Sequence, residues 1–558
     1  MKKVGILVVV SMLILGMFIF ADNVKYGGVV NLGGSAPTYM AANFNPFLLF
    51  SGAADPGTVF VYEPLMYVNP LNGAVTPLLG TAYQWKDNNL KMVVTIRKGV
   101  KWNDGVPFTP EDVVFTFNLI KKYPALDANG IWSDISGLQS VEASGDDVVF
   151  TFSKPDTPMD YYILRNTRIV PEHVWSTVED PTTYINADNP VGTGPFLRTN
   201  YSVSNNTEYF SKNPNYWWQG RPYIDGIRMI GNVSNEAAFL QMLKGETDEN
   251  DIAIADPMRT WINKDPQNNL MFWPTYSSNI LLMNDAKTPF NNATFRKALS
   301  LAIDKKLLED RAYWGTGGYD ISQTQIIPAQ RSEWYDTNLA SEDAYLNSYN
   351  PTEAQKLLES IGYKKNSAGV LVGPDGKTLP TFNILVGTGW TDFITMAQNI
   401  SQELKSIGIN TTIVQQSYST YMTLLMTGNF DMVILNGTPQ IGPNPFNAYY
   451  SEFYPGFSAP LGQSAISDYS RYTNSDITKA LNDFMASSDP SVQRQAMYTI
   501  EKVLLDDLPM IVLTNRTGFD LYSQKTFVGW PTIENPYSNG WNTDGIDMEL
   551  VVLNIHLK

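Results

Sequence analysis

The sequence predicts an α/β protein of two or three domains, and three observations lead to this prediction. The chain has 558 residues, of which 43% are hydrophobic, so it is long enough for several domains that each bury a core. Predicted strands and helices alternate in its second half, which is typical of a parallel sheet covered by helices. No internal repeat, low-complexity tract or linker of Gly and Ser separates the segments, which indicates that the domains interleave.

The first segment has the pattern of an export signal. Lys2 and Lys3 precede an almost unbroken apolar run at 4–20, and Ala21 then stands before polar residues, so we expect cleavage after Ala21 and a signal peptide at 1–21. The run sits at the short limit for spanning a bilayer of roughly 30 Å, so an uncleaved anchor is the alternative. No Cys follows the run, which excludes a lipid-linked lipoprotein. The sequence therefore predicts a periplasmic protein that is not lipid-anchored.

The first half of the chain predicts short strands around one well-marked helix. The β-rich runs 90–96 and 147–152 are bounded by Asn, Asp and Gly. Between them Thr109 can cap a helix that begins at Pro110. Its apolar face has helical spacing and consists of Val113, Val114, Phe117 and Ile120.

The second half alternates between helix and strand. Two helices are predicted first, one over 291–306 and one that Asn350 opens and Gly362 closes. The later strands are predicted at 381–386, 411–414, 431–435 and 510–513, and the later helices at 393–407, 418–426 and from Pro490 onward. Ligands of such sheets lie at the carboxyl ends of the strands, which points to 387–391, 415–418 and 436–445.

Composition excludes several classes of function. The chain has no Cys and two His, so thiolate chemistry and His-centred or Cys-centred metal sites lack their residues, and we expect neither a metal nor a cofactor. A net charge of −16 argues against a nucleic-acid partner, which needs clustered Lys and Arg. The unusual feature that remains is a surplus of rings, with 13 Trp, 30 Tyr and 26 Phe.

Short motifs spread over nearly the whole chain resemble those of one known family. The motifs are Tyr62-Glu63-Pro64-Leu65, Ile96-Arg97-Lys98-Gly99, Trp102-Asn103-Asp104-Gly105, Pro107-Phe108-Thr109, Gly192-Thr193-Gly194-Pro195-Phe196, Asn213-Pro214-Asn215-Tyr216-Trp217, Phe295-Arg296-Lys297-Ala298-Leu299, Ala302-Ile303-Asp304-Lys305, Gly428-Asn429-Phe430-Asp431 and Leu508-Pro509. Their order and spacing resemble the extracellular solute-binding proteins of ABC importers, of the oligopeptide- and dipeptide-binding type (family 5). Most of these residues have structural roles, as buried rings or turn glycines.

The resemblance implies a fold, a partner and a way of working. It implies a two-lobed α/β periplasmic binding protein of the large type, with a hinge, an extra domain and mixed sheets flanked by helices. Domain I would hold 22–60, 188–280 and 513–558, domain II 61–187, and domain III 281–512. A monomer would capture its ligand between domains I and III and present it to the permease subunits, without catalysis and without catalytic residues.

One departure from the family bears on the ligand. The resemblance implies that peptide binders hold the ligand's ammonium with an Asp in the loop that here spans 436–445, and no Asp or Glu occurs anywhere from 432 to 451. A buried ammonium without a counter-charge costs several kcal/mol. Asn436 and Gln440 stand in this loop instead, and their amides can both donate and accept hydrogen bonds, as sugar hydroxyls require.

The sequence therefore predicts an oligosaccharide ligand, which some members of the family bind, with rings stacked on sugar faces. The candidate binding residues are Trp390, Tyr418, Asn436, Gln440, Asn279, Trp132 and Trp541, each of which could instead serve only for packing or for loop hydrogen bonds. We favour β-1,4-linked gluco- or manno-oligosaccharides because their extended shape suits a long cleft lined by rings.

Two other functions stay open at this point. One is a peptide-binding protein of the same fold. The other is a secreted glycosidase, which would also have an aromatic cleft and needs only two carboxylates about 5–10 Å apart. Nickel or haem capture, which occurs on related folds, is disfavoured because Cys is absent and neither His lies near the predicted strand ends.

Overall fold

A computed structural model describes residues 24–33, 42–51, 55–133, 136–231, 234–437, 444–540 and 546–558. The expected signal peptide at 1–21 lies outside these ranges. Within them, no helix combines the length and the apolar character that crossing a membrane requires.

The elements alternate along the described chain. The strands are β1 (Val29–Gly33), β2 (Met66–Val68), β3 (Val75–Pro77), β4 (Gly80–Lys86), β5 (Lys91–Ile96), β6 (Leu138–Ser144), β7 (Asp147–Phe152), β8 (Phe196–Ser202), β9 (Thr207–Lys212), β10 (Gly226–Ile230), β11 (Glu249–Asp251), β12 (Asn269–Phe272), β13 (Thr275–Met283), β14 (Lys364–Lys365), β15 (Leu371–Val372), β16 (Phe382–Gly387), β17 (Thr411–Gln416), β18 (Met432–Asn436), β19 (Met510–Thr517), β20 (Asp520–Ser523), β21 (Phe527–Val528) and β22 (His556–Leu557). The helices are α1 (Pro110–Lys122), α2 (Met159–Tyr161), α3 (Glu172–Trp175), α4 (Asn235–Lys244), α5 (Pro257–Thr260), α6 (Ala293–Ala302), α7 (Lys305–Ala312), α8 (Arg331–Trp334), α9 (Ala340–Asn347), α10 (Pro351–Ser360), α11 (Thr391–Ser406), α12 (Tyr418–Thr427), α13 (Phe446–Phe453), α14 (Ser475–Ala486), α15 (Pro490–Asp507) and α16 (Ile546–Asn554).

A seven-stranded sheet combines strands from the beginning, the middle and the end of the chain. Its order is β12-β20-β11-β1-β10-β9-β8, and β1 runs parallel to both β10 and β11. Its rings and aliphatic side chains pack against α16 in one buried cluster that includes Phe60, Phe210, Tyr522 and Val552. The chain leaves this sheet through β13 and comes back to it through β19. The exact domain boundaries stay a prediction.

A five-stranded sheet forms the second large layer, in the order β17-β16-β18-β13-β19. The helix–strand alternation predicted a parallel sheet, and β16 is indeed parallel to β17 and β18. The prediction is incomplete, because β13 lies between β18 and β19 and runs antiparallel to both, so that β19 has the same direction as β16, β17 and β18. The sheet is mixed because β13, which enters it from the seven-stranded sheet, runs against the other four strands.

The helix predicted over 291–306 is divided into two. Ile303 has an extended backbone with φ −103° and ψ 121°, and it ends α6. Asp304 then caps α7, since its carboxylate accepts a hydrogen bond from the Leu307 N–H at 3.0 Å. The apolar stripe alone could not show this break, because helix capping and not periodicity starts the second helix.

A four-stranded antiparallel sheet, in the order β4-β5-β7-β6, forms a third layer against α1. The predicted cap of α1 is present, since Asp112 accepts a hydrogen bond from the Thr109 N–H at 2.9 Å.

The four-stranded region is joined to α16 by a buried ion pair between Arg165 and Asp547 at 2.5 Å. Tyr67 donates a second hydrogen bond to the same carboxylate, at 2.6 Å. Breaking such a buried pair from one side is costly, so this contact fixes the four-stranded region to the seven-stranded one.

Candidate ligand-binding cleft

A cavity of about 720 Å³ opens between the seven-stranded and the five-stranded sheets. One wall comes from the start of α4, the segment after β11, and the segments that join these sheets. The other wall comes from the end of α7, the start of α11 and the end of β18. The lining residues that matter below are Glu236, Asp251, Trp273, Arg311, Tyr313, Trp314, Trp390, Asp392, Phe393, Asn436, Arg516 and Phe519.

Trp390 reaches the cavity because of the glycine that ends β16. Its indole lies across Gly387, where a Cβ would come within 2.4 Å of the ring. The ring contacts Phe393 at 5.6 Å and Tyr421 at 5.0 Å between centroids, both edge-to-face. Trp390 is half-buried, so two rings hold the indole in place while part of it faces the cavity.

Trp314 is the most exposed ring in the cavity. Its side chain is 49% exposed, and its backbone has φ 55°, in the left-handed region that large side chains rarely adopt. The turn around it is well fixed, since the Thr316 N–H bonds to the Tyr313 carbonyl at 3.0 Å and the Gly317 N–H bonds to Glu309 at 2.7 Å. The fold therefore holds an indole at the cavity in a conformation that costs backbone energy.

Further rings form the wall on the side of the seven-stranded sheet. Phe519 meets Trp273 edge-to-face at 5.1 Å and lies nearly parallel to Tyr313 at 6.4 Å. Both Trp273 and Tyr313 are buried. Six rings in all line the cavity: Trp273, Tyr313, Trp314, Trp390, Phe393 and Phe519.

Hydrogen-bonded polar groups lie among the rings. Tyr313 donates its hydroxyl hydrogen to Asp392 at 2.7 Å, and the Asn279 amide donates to the Tyr313 oxygen at 3.2 Å. Burial raises the pKa of Tyr313 well above its usual value, and the charge of Asp392 raises it further, so the phenol stays a neutral donor. These two linked hydrogen bonds fix the orientation of the Asp392 carboxylate at the cavity.

Arg516 brings a guanidinium to the same wall. Its Nε donates to the Tyr276 hydroxyl at 3.0 Å, and its guanidinium carbon lies 4.8 Å from the centre of the Phe519 ring. Burial lowers the pKa of Arg516, but Tyr276, Tyr313 and Asp392 together raise it above its usual value, so the group is charged. Within the described chain, no carboxylate forms an ion pair with Arg516, so the guanidinium can donate hydrogen bonds to a ligand.

Four of the seven predicted binding residues lie in or near the cavity, in three different positions. Trp390 and Asn436 line the cavity. Asn279 is fully buried one layer below, where its amide also donates to Thr514 at 2.8 Å, so it supports Tyr313 instead of facing the cavity. Tyr418 is 67% exposed at the start of α12, and its ring lies 6.2 Å from that of Trp390, outside the cavity lining.

The remaining predicted residues are not brought to the cavity in the described chain. Trp132 packs in the four-stranded region, donates its indole N–H to the Phe117 carbonyl at 2.8 Å and lies 4.1 Å below the Lys121 ammonium. It does not line the cavity. Gln440 and Trp541 lie outside the described residues. All of these assignments to a ligand stay predictions.

Five of the six rings and Arg516 were not predicted from the sequence. A usable pattern was present for Trp314, since the pair Tyr313-Trp314 stands at the end of a helix and directly before a Gly-rich turn. Trp273 is far in sequence from Arg516 and Phe519, and only the pairing of β13 with β19 brings the two segments together.

The missing acid in the loop at 436–445 does not make the whole cleft neutral. The described part of the loop at 436–445 has no acid, as predicted. Nevertheless Glu236, Asp251 and Asp392 line the cavity from other elements. The cleft as a whole is therefore not free of charge.

Comparison with known proteins agrees with this architecture. Residues 74–459 match the model of the bacterial extracellular solute-binding proteins, family 5. The chain belongs to this family. It is a solute-binding component of an ABC importer, a class that binds and delivers solutes without catalysing a reaction. Members work with permease subunits and are periplasmic or extracellular.

Individual relatives confirm the family and the fold predicted from the motifs. The oligopeptide-binding protein AppA of Bacillus subtilis is 24% identical over 438 residues, which is 76% of each chain. A periplasmic oligopeptide-binding protein of an oligopeptide ABC transporter from Thermotoga maritima is 28% identical, with a TM-score of 0.85 over 95% of this chain and 99% of that one. The structure of the same protein bound to mannohexaose gives a TM-score of 0.78 over 95% and 98%. The two-lobed α/β fold of this chain is thus established.

Proposed function

We propose that this protein captures β-linked oligosaccharides, of gluco or manno type, and delivers them to the permease of an ABC importer. The observation that carries the proposal is the set of six rings around one cavity of about 720 Å³. Cavities of this size are typical of small-ligand sites, and a high content of rings suits a ligand with flat apolar faces.

The polar groups of the cavity suit the edges of a sugar. The Arg516 guanidinium supplies donors, the Asp392 carboxylate supplies acceptors, and the Asn436 amide supplies both. Neighbouring hydroxyls of a sugar each donate one hydrogen bond and accept others, so a mixed set of this kind can bind them. Rings above and below with planar polar groups at the edge form the arrangement that we expect for an oligosaccharide.

The same arrangement of rings would let a bound sugar stabilise the closed state of the two lobes. Trp273 and Phe519 belong to one wall, and Trp314 and Trp390 belong to the other. A ligand that contacts both walls stabilises the closed state only by its additional contacts in that state. A sugar stacked between the two walls would meet this condition.

The Thermotoga maritima relative supports the proposal. It has been solved with mannohexaose, and it shares 28% identity with this chain over 95% of the length. This likeness favours manno-oligosaccharides among the β-linked sugars.

A peptide ligand is the second candidate, and the charges of the cavity favour it. Arg516 could bind the carboxylate of a peptide, and Glu236 or Asp251 could bind its ammonium. The Bacillus subtilis relative is named as an oligopeptide-binding protein. The missing acid in the loop at 436–445 therefore does not decide between the two ligands by itself.

Calorimetric titration of the full chain decides between them. We expect mannohexaose or cellohexaose to bind, and a mixed pool of peptides of two to nine residues to give no heat of binding. An Arg516→Gln variant separates the candidates further, because the loss of a charge should weaken peptide binding far more than sugar binding. Tight peptide binding without sugar binding would exclude the proposal.

A second measurement tests for catalysis. The titrated sugar is recovered and analysed by chromatography, and we expect it unchanged. Shorter products that form in proportion to the protein, and that are lost in an Asp392→Asn variant, would identify a glycosidase instead.

A further inference from the structure

A second, smaller cavity lies between the four-stranded region and the helices after β18. Its volume is about 310 Å³, and it shares no lining residue with the cleft described above. The four-stranded side contributes Tyr83, Trp85 and Asp160, among others, and the helical side contributes Phe484 and Gln493. This volume is at the lower end of the range for small-ligand sites.

We call this cavity the seam pocket and define it by Tyr83, Trp85, Asp160, Tyr161 and Phe484. All of these residues except Asp160 contribute an aromatic ring. Trp85 is backed by Phe152 at 5.3 Å, and Tyr161 is buried, so the rings are held in place. Aromatic rings attract cations at their faces, and several rings around one cavity attract an ammonium group best.

A carboxylate lies among these rings. The Trp85 indole and the Tyr83 hydroxyl lie against Asp160 and stabilise its charged form. Burial raises the pKa of Asp160 to about 6, so the group is still mainly ionised at neutral pH. Asp160 is half-buried, and a carboxylate that is partly withdrawn from water is stabilised by a counter-charge.

The described protein supplies no such counter-charge. Neither Lys nor Arg lines the pocket, and no ion pair is formed by Asp160 or by Asp156, a second acid that is only 5% exposed. Lys154 acts on Asp156 only through its longer-range charge. Arg165 lies 5.3 Å from the Tyr161 ring, but its guanidinium is bound to Asp547.

We propose that the seam pocket binds a small organic ammonium ion, held by the four rings and by the carboxylate of Asp160. The charge of such an ion meets the unpaired acid, and its alkyl groups meet the rings. A neutral molecule of the same shape gains only the contact with the rings.

Binding at this place would join two parts of the molecule. The pocket is flanked by hydrogen bonds between them, from the Thr157 N–H to the Met485 carbonyl at 3.2 Å and from the Thr157 hydroxyl to the Ser487 carbonyl at 3.2 Å. A ligand that needs both sides stabilises their association by mass action. The ammonium ion would thus act on the arrangement of the lobes without entering the main cleft.

Calorimetric titration of the full chain with choline tests the proposal, with 3,3-dimethyl-1-butanol as its neutral isostere. We expect choline to bind at least tenfold more tightly than the alcohol. Asp160→Asn should weaken choline binding about tenfold, and Tyr83→Leu, a change at a ring that is 36% exposed, should weaken it severalfold. Asp146→Asn serves as the matched control, because that acid pairs with Lys98 on the surface of the same region.

Four outcomes overturn the proposal. They are equal binding of the alcohol, no binding of choline, choline binding unchanged in both pocket variants, and choline binding lost in Trp390→Ala, which would place the site in the main cleft. If circular dichroism shows that Asp160→Asn is unfolded, the Tyr83→Leu result decides alone. The outcome is independent of the sugar titrations, since those address a different cavity.

Discussion

Trp102 in the four-stranded region and Trp314 in the cleft use the same side chain in opposite ways. Trp102 is completely buried, meets Phe108 edge-to-face at 5.7 Å and directs its indole N–H to Asp112 at 3.4 Å. Trp314 is 49% exposed, and its backbone has φ 55°. One indole has its polar atom paired and its faces covered, whereas the other has much of its surface open to the cavity.

The two indoles show how rings that stabilise the fold can be distinguished from rings that contact a ligand. A buried indole such as Trp102 lowers the free energy of the folded state by removing apolar surface from water. A left-handed backbone under a large side chain costs about 1–3 kcal/mol, and surrounding contacts must hold it there. The fold gains little from an exposed ring in such a conformation, so the position of Trp314 is best explained by a ligand.

The largest effect is expected on the stability of the fold, at the buried Trp102. Trp102→Ala should lower the free energy of unfolding by about 3–5 kcal/mol, because it leaves a large cavity in a rigid core. Denaturant unfolding of the full chain measures this loss, and titration of the protein that remains folded should show unchanged sugar affinity. A Trp102 variant of normal stability and weakened affinity would reverse the roles assigned to the two regions.

The second effect concerns affinity. Trp390→Ala should weaken sugar binding by about 1–3 kcal/mol, because it removes a ring that two neighbours hold at the cavity. Trp390→Phe is the matched control and should retain part of the affinity. Calorimetry measures both, and an unchanged affinity in Trp390→Ala would remove this residue from the site.

The position of Trp390 also shows what the sequence could predict. A glycine-rich strand end in an alternating α/β pattern predicted the cleft side of the sheet, and Trp390 lies there, directly before α11. The caps of α1 and α10, and the left-handed Gly362 that follows α10, were predicted equally well, because such signals are local.

Contacts between residues far apart in sequence could not be predicted. Arg516 lies near the end of β19 with no motif around it, and its role depends on Tyr276, more than 200 residues earlier. Asn279 lies opposite Asn436 in the register of β13 and β18, but its amide is bound to Tyr313 and Thr514, which leave it fully buried. The sequence can place a residue on a strand, but it does not show which side chains from distant segments cover that residue.

A smaller and more specific effect is expected at Trp314. Trp314→Gly should weaken sugar binding by about 1 kcal/mol, because a stacked ring is lost. Compared with Trp314→Ala, which loses the same ring but keeps a Cβ at φ 55°, the glycine variant should be about 1 kcal/mol more stable. Thermal unfolding and titration of the two variants side by side separate binding from backbone strain, and equal stability of both would argue against strain at this turn.

The smallest effect is expected at Tyr418, which tests where the site ends. Its ring is 67% exposed and 6.2 Å from that of Trp390, so it neither fills a core nor lines the cavity. Tyr418→Ala should therefore change stability and affinity by no more than about 0.5 kcal/mol each, as is usual for surface substitutions. A loss of affinity as large as that of Trp390→Ala, in the same titration with mannohexaose, would show that the sugar passes over the start of α12. The cleft would then extend beyond the cavity, and exposure alone would not separate rings of the site from rings of the surface.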